Sequence, residues 1–200
     1  ITFHSPTVLP IEAATTMGVS VKESDNAIGK FGTGLKYAIA GVLRLGGTIR
    51  MTIAGTPYEF TAVATDIRGK KFCVVHCNGV PCGFTTDLGK HWEPWQLFRE
   101  LASNALDEGG GWSHTPEDAV TVITVRCAEV EAAGRDDGVF LREGLPVLVS
   151  SAIGATIHEG PSRHYYFRGI RAGSFAVEAP VTVNVTNGSL SEDRLLDLAT

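Results

Sequence analysis

Glu100, Asn104 and Asp107 place an acid, an amide and a second acid in one short run, spaced E-x-x-x-N-x-x-D. On a helix, at roughly 100° per residue, the three fall within about 60° of one another. A carboxylate can take a proton from an attacking water, and an amide oxygen can ligate a hard cation. Such a face is either solvated or lines a polar site. Leu97, Leu101 and Ala105 leave Glu100 and Asn104 near the apolar edge, which weakens the solvated reading. A second run, Ile28-Gly29-Lys30-Phe31-Gly32-Thr33-Gly34-Leu35-Lys36, has three glycines where the chain turns into a helix. Glycine permits positive φ and close approach of a ligand. The helix start adds unpaired N–H groups and the positive end of the dipole, so a phosphate is its natural guest. Lys30 and Lys36 add positive charge nearby. The plainer reading of these glycines is a tight turn and a close helix contact.

The elements that must hold these residues are legible around them. Leu35, Ala38, Ile39, Val42 and Leu43 make the stripe of a helix with one buried face, stopped by Gly46-Gly47. Arg99 to Glu108 reads as a helix with a glycine exit at 109–111, opened by Trp92-Glu93-Pro94-Trp95 and docked by Trp95, Phe98 and Leu101. Between the two helices, Thr48–Ile53, Tyr58–Thr65 and Lys71–Asn78 are rich in β-branched and aromatic residues and read as an antiparallel meander. Ile1–His4 reads as a strand and Pro10–Ala14 as the start of a short helix. Val120–Val130, Pro146–Ser151, Arg163–Gly169 and Pro180–Val185 read as further strands, and Ser191-Glu192-Asp193-Arg194 as the opening of a last helix.

The 200 residues suit one domain with an appendage, with 44% hydrophobic and 20% charged residues. A net charge of −5 gives no general pull toward nucleic acid or anionic membrane, so phosphate binding must be local. No apolar run approaches the ~20 residues of a membrane helix, and no signal peptide is visible. The first residue is Ile1, and the last stretch reads as an unfinished helix, so a fragment or a trimmed chain is expected. Cys73, Cys77, Cys82 and Cys127 lack a standard zinc spacing. Small buried thiols in a reducing cytoplasm are the better reading, ahead of a metal site drawing on Cys73, Cys77 and His91.

Together the two chemical runs resemble the GHKL, or Bergerat-fold, ATPase superfamily of gyrase-type topoisomerases, ninety-kilodalton heat-shock chaperones, histidine kinases and mismatch-repair ATPases. Glu100, Asn104 and Asp107 match its N-box, and Gly29, Gly32 and Gly34 its G-x-x-G-x-G box. In the family the N-box precedes that glycine box, whereas here it follows, so the chain resembles a circularly permuted form. The resemblance implies an α+β fold: a two-layer sandwich with a mixed, mostly antiparallel sheet and helices on one face. Residues 1–130 would be the nucleotide-binding core, with a β-rich extension over 131–200 packed on it. It implies ATP as ligand and Mg²⁺ as cofactor. Glu100 would be the general base and Asn104 the magnesium ligand, and Asp107 would organise the pocket. Gly32, Thr33, Gly34 and Leu35 would bind phosphates through the backbone, assisted by Lys30, Lys36 and Lys22. The family's D-x-G-x-G aspartate, which receives the adenine amino group, is absent. At its place stands His4-Ser5-Pro6, with Asp137-Gly138 as a rival. Either His4 or a backbone carbonyl does that work, or another base is bound, or binding is weak. His4 as an ordinary surface or capping histidine is equally open. An ATPase is the first functional expectation, and a nucleotide-sensing module with little turnover is the alternative. A kinase lacks a phosphoacceptor helix, and a nucleotide-free structural domain is the least chemical reading. Arg194 is a candidate for a terminal phosphate or for a local acid.

Overall fold

The computed structural model describes residues 1–19, 32–112, 118–152, 154–190 and 196–197. They form an α+β protein with antiparallel sheets, in two compact units, 1–133 and 134–200. In chain order the first unit contains β1 (Thr2–Ser5), α1 (Glu12–Thr15), α2 (Gly34–Arg44), β2 (Thr48–Ile53), β3 (Thr56–Ile67), β4 (Lys70–Cys77) and β5 (Val80–Thr85). It continues with α3 (Pro94–Asp107), β6 (Gly111–Trp112), β7 (Thr121–Arg126) and α4 (Ala128–Ala133).

Its sheet runs β5-β4-β3-β2-β7-β1-β6. The meander β2 to β5 forms one side, and β7 brings the later chain back between β2 and β1. Register sorts the side chains by face. Ile49 pairs with Val125 and Phe60, Met51 with Ile123, and Phe3 with Ile123. All these residues are buried, while Arg50, between Ile49 and Met51, is exposed. One face is therefore apolar and must be covered. Helix α2 packs on β2 and β3, α3 on β1 and β6, and α4 on β7. The Phe98 ring meets Phe3 at 5.7 Å and Trp112 at 5.6 Å between centroids.

Local sequence explains the long helix starts and stops. Pro94 sits in the first turn of α3, and the Gln96 side chain accepts the Glu93 N–H at 2.8 Å. One expectation fails here: Val120–Val130 is a strand only to Arg126, and Ala128–Ala133 is helical. The run Ala-Glu-Val-Glu-Ala-Ala is made largely of strong helix formers, with its acids in the first turn and only Val130 fully buried.

The second unit contains β8 (Val147–Ser151), β9 (Ala155–Phe167), β10 (Ile170–Val185), β11 (Ser189–Leu190) and β12 (Leu196–Asp197). A long β9–β10 hairpin with β8 at its edge is the main sheet. The expected final helix is contradicted at Leu196–Asp197, which pair as a strand with Ser189–Leu190. Two cross-strand pairs satisfy the backbone that a helix would otherwise have satisfied internally.

Candidate functional site

The two chemical runs belong to neighbouring helices. A Cβ at Gly41 would lie 2.4 Å from Leu97 Cδ2, so α2 and α3 meet where position 41 has no side chain. Leu97 is fully buried at that contact. Glu100 and Asn104 lie within about 60° of Leu97 around α3, so the acid–amide face turns toward α2 rather than outward. Exposure agrees: Glu100 is 3% and Ser103 2% exposed, with Asn104 and Asp107 half-buried. This face is not a solvated surface.

Glu100 Oε1 stands 3.2 Å from Arg99 Nη2, and both side chains are buried. The Arg99 guanidinium lies over the Trp95 and Trp92 rings, at 5.1 and 5.7 Å. The tryptophans thus hold an arginine that fixes the carboxylate.

At the other helix, Gly32 has φ +65°, a conformation that favours glycine. Thr33 is the N-cap of α2 but makes no capping bond, and its buried Oγ1 has no hydrogen-bond partner among the described residues. Ser103 Oγ on α3 is likewise buried without such a partner. A buried hydroxyl left unmatched costs about 1–3 kcal/mol. Lys36 is fully buried, and its ammonium donates to the carbonyl of Ala13 at 2.8 Å and to that of Gly32. Burial lowers its pKa to about 8. Its described contacts tie the glycine box to α1.

The third part is a narrow recess between β1, β7 and the C-terminal half of α3. Its cavity volume is about 30 Å³, room for about one water. Phe3, Leu9, Ala105 and Ile123 give it apolar walls, and Ser5, Asn104 and Thr121 give it polar points. His4 also borders it. Phe3 and Ser5 are buried on the helix-covered face, so the His4 imidazole points to the opposite face, beside Gly111. Ser5 is the side chain that enters.

Thr7, Thr121 and Glu108 join the recess without a motif of their own. Glu108 had a usable signal, lying one helical turn beyond Asn104. Thr121 had none, because only the β7–β1 pairing puts it opposite Ser5. Lys22, Gly29, Lys30 and Arg194 lie outside the described residues. Asp137 is exposed and belongs to the 134–200 unit. All four cysteines are free: Cys77 and Cys127 are buried, Cys82 half-buried, and Cys73 exposed, contrary to its expected burial. Among the described residues no three His, Cys, Asp or Glu side chains are grouped to hold a metal, and no helix is long and apolar enough to cross a membrane. Compared with family models, curated proteins and solved structures, the chain matches none of them.

Proposed function

We propose that the 1–133 unit binds a nucleoside triphosphate with Mg²⁺ and hydrolyses it, as a permuted GHKL-type ATPase. The observation that carries this reading is the inward turn of the Glu100–Asn104 face against the glycine-box helix. The two helices that carry these runs pack against each other, with their close approach at Gly41 and Leu97.

Each group has a role its chemistry allows. The start of α2, from Thr33 to Lys36, offers backbone N–H groups to phosphate oxygens. Glu100 accepts the proton of the attacking water at a carboxylate oxygen, while Arg99 keeps that carboxylate oriented. Asp107 organises the pocket from the same helix. Mg²⁺ takes few protein oxygens and keeps several waters. The Asn104 amide oxygen and the unmatched hydroxyls of Thr33 and Ser103 are hard donors of the right kind, and Asn104 would hold the ion. When bound, it supplies charge neutralisation on the phosphates.

A second reading is a nucleotide-sensing module with little turnover. It draws on the Arg99–Glu100 pair, because the guanidinium engages a carboxylate oxygen that would otherwise take the proton. Phosphate release with Mg-ATP separates the two. The ATPase reading expects steady release that Glu100→Gln reduces about 100-fold or more while ATP still raises Tm. A Tm rise without release identifies the sensing module. Neither release nor a Tm rise ends the nucleotide reading.

A further inference from the structure

A second cavity, of about 690 Å³, opens in the first unit between the end of α1 and the β4–β5 hairpin. The nucleotide reading makes no use of it. Among the described residues that line it, none is Asp, Glu, Lys, Arg or His. Three carry sulfur: Met17, Cys77 and Cys82. The chain has four cysteines and two methionines, so half of its sulfur side chains border one cavity. Strand pairing brings the two thiols together. Cys77 pairs with Val80 across the turn, and Cys82 lies two residues beyond Val80. Between the pairs His76–Pro81 and Val74–Thr85, the residues Cys82, Gly83 and Phe84 oppose Val75 alone, and Gly83 takes φ +76°. Such a bulge re-aims a side chain. Here Cys82 Sγ turns back to the Val80 carbonyl, at 3.9 Å. The same sulfur interacts with the Cys77 backbone N–H and with the Cys77 thiol. Met17 borders the cavity from the α1 side.

We infer that Cys77, Cys82 and Met17 form a binding site for a soft monovalent metal ion, copper(I), and that this site is independent of the nucleotide. Thiolate and thioether ligands select such an ion, while hard cations need carboxylate or carbonyl oxygens. A structural zinc site takes four ligands, and no third His, Cys, Asp or Glu is grouped with the two thiols among the described residues. Copper(I) is satisfied by two or three sulfurs. On binding, the ion replaces the two thiol protons, which pass to solvent. It stays monovalent, so the step needs no oxidant or reductant. The space left around it lets the ion enter and leave by ligand exchange.

The test titrates the whole reduced chain, without oxygen, into copper(I) held by the coloured chelator bicinchoninate. Wild type is expected to withdraw one equivalent of copper, read as lost colour. Cys77→Ser and Cys82→Ser should each weaken the uptake by about 100-fold or more, beyond the usual effect of losing an outer-shell partner. Met17→Leu should weaken it by about tenfold. Cys73→Ser is the control and should change nothing, because Cys73 is exposed and does not line the cavity. Cys82 is only half-buried, so Cys82→Ser keeps the test open should Cys77→Ser not fold. Wild-type protein that takes no copper from the chelator overturns the inference. So does uptake that survives Cys82→Ser or is lost in Cys73→Ser. Zinc(II) held as tightly as copper(I) would also overturn it, as would loss of two titratable thiols with no copper retained, which would mean a disulfide instead.

Discussion

The 1–133 and 134–200 units differ in how their buried hydroxyls are matched. In the second, the buried polar side chains are tied to one another or to the backbone. His158 Nε2 lies 2.9 Å from Thr156 Oγ1, and Asn184 reaches Thr156 at 3.2 Å and the Gly169 N–H at 2.8 Å. Thr182 donates to the Gly160 carbonyl at 3.1 Å. These bonds tie the long β9–β10 hairpin together. Val147, Leu148 and Val149 on β8, and Val177 on β10, are each more than half exposed. In the first unit an apolar layer fills the space between sheet and helices. Its buried polar groups gather at the start of α2, along α3, and where β1 meets β7. Two of them, Thr33 and Ser103, have hydroxyls unmatched among the described residues. Polar burial that satisfies itself holds a shape, whereas polar burial that is left open marks where a ligand is expected.

The largest expected effect removes the contact on which the first unit depends. Leu97→Ala should cost about 2–5 kcal/mol, because the side chain is fully buried against Gly41. Chemical denaturation should show it, and the ATP-induced Tm rise should shrink with it. A loss below about 1 kcal/mol would mean that α2 and α3 are not packed as described.

Lys36 probes the first unit through pH. Its pKa is lowered to about 8 from 10.5, so between these values the unfolded chain binds more protons than the folded one. Stability therefore rises with pH across that window, by up to about 3 kcal/mol at 1.36 kcal/mol per unit. The stability of wild type relative to Lys36→Met should increase from pH 7.5 to pH 10. A flat difference would show that the two carbonyl bonds offset the burial.

Asn184→Ala asks whether the second unit is held by its polar ties. It strands the Gly169 N–H and should cost about 1–3 kcal/mol, with ATP affinity unchanged. An altered nucleotide affinity would contradict the division of labour between the units. The smallest effect is expected at Val177, which is 75% exposed. Val177→Ser should change stability by no more than about 0.5 kcal/mol. A larger loss would mean that this residue is covered in solution.

Much of the first unit was legible because its periodicities are clean. The Leu35 to Leu43 stripe and the meander from Thr48 onward keep one register with few interruptions, and the glycines fall where the chain turns. The strand read through Val130 was misjudged because β-branched Val125 and Val130 straddle a point where Ala and Glu begin to favour a helix. At the C-terminus an N-cap serine and first-turn acids argued for a helix, yet Leu196–Asp197 pair across a hairpin. Local propensity is a weak prior that a partner strand overrides.

What this sequence determined by itself is the inventory: an acid–amide–acid helix face, a glycine-rich helix start, and an antiparallel sheet able to carry both. Those follow from spacing, because side-chain direction along one element is fixed by its period. Only the tertiary structure decided which groups meet. It turned Glu100 inward beside Arg99, sent the His4 imidazole to the far face, and set Ser5 against Thr121 with Glu108 behind them. Strand pairing sets Ser5 opposite Thr121 and a side-chain bond joins Thr7 to Glu108, each across more than a hundred positions, and no local rule carries information over that distance.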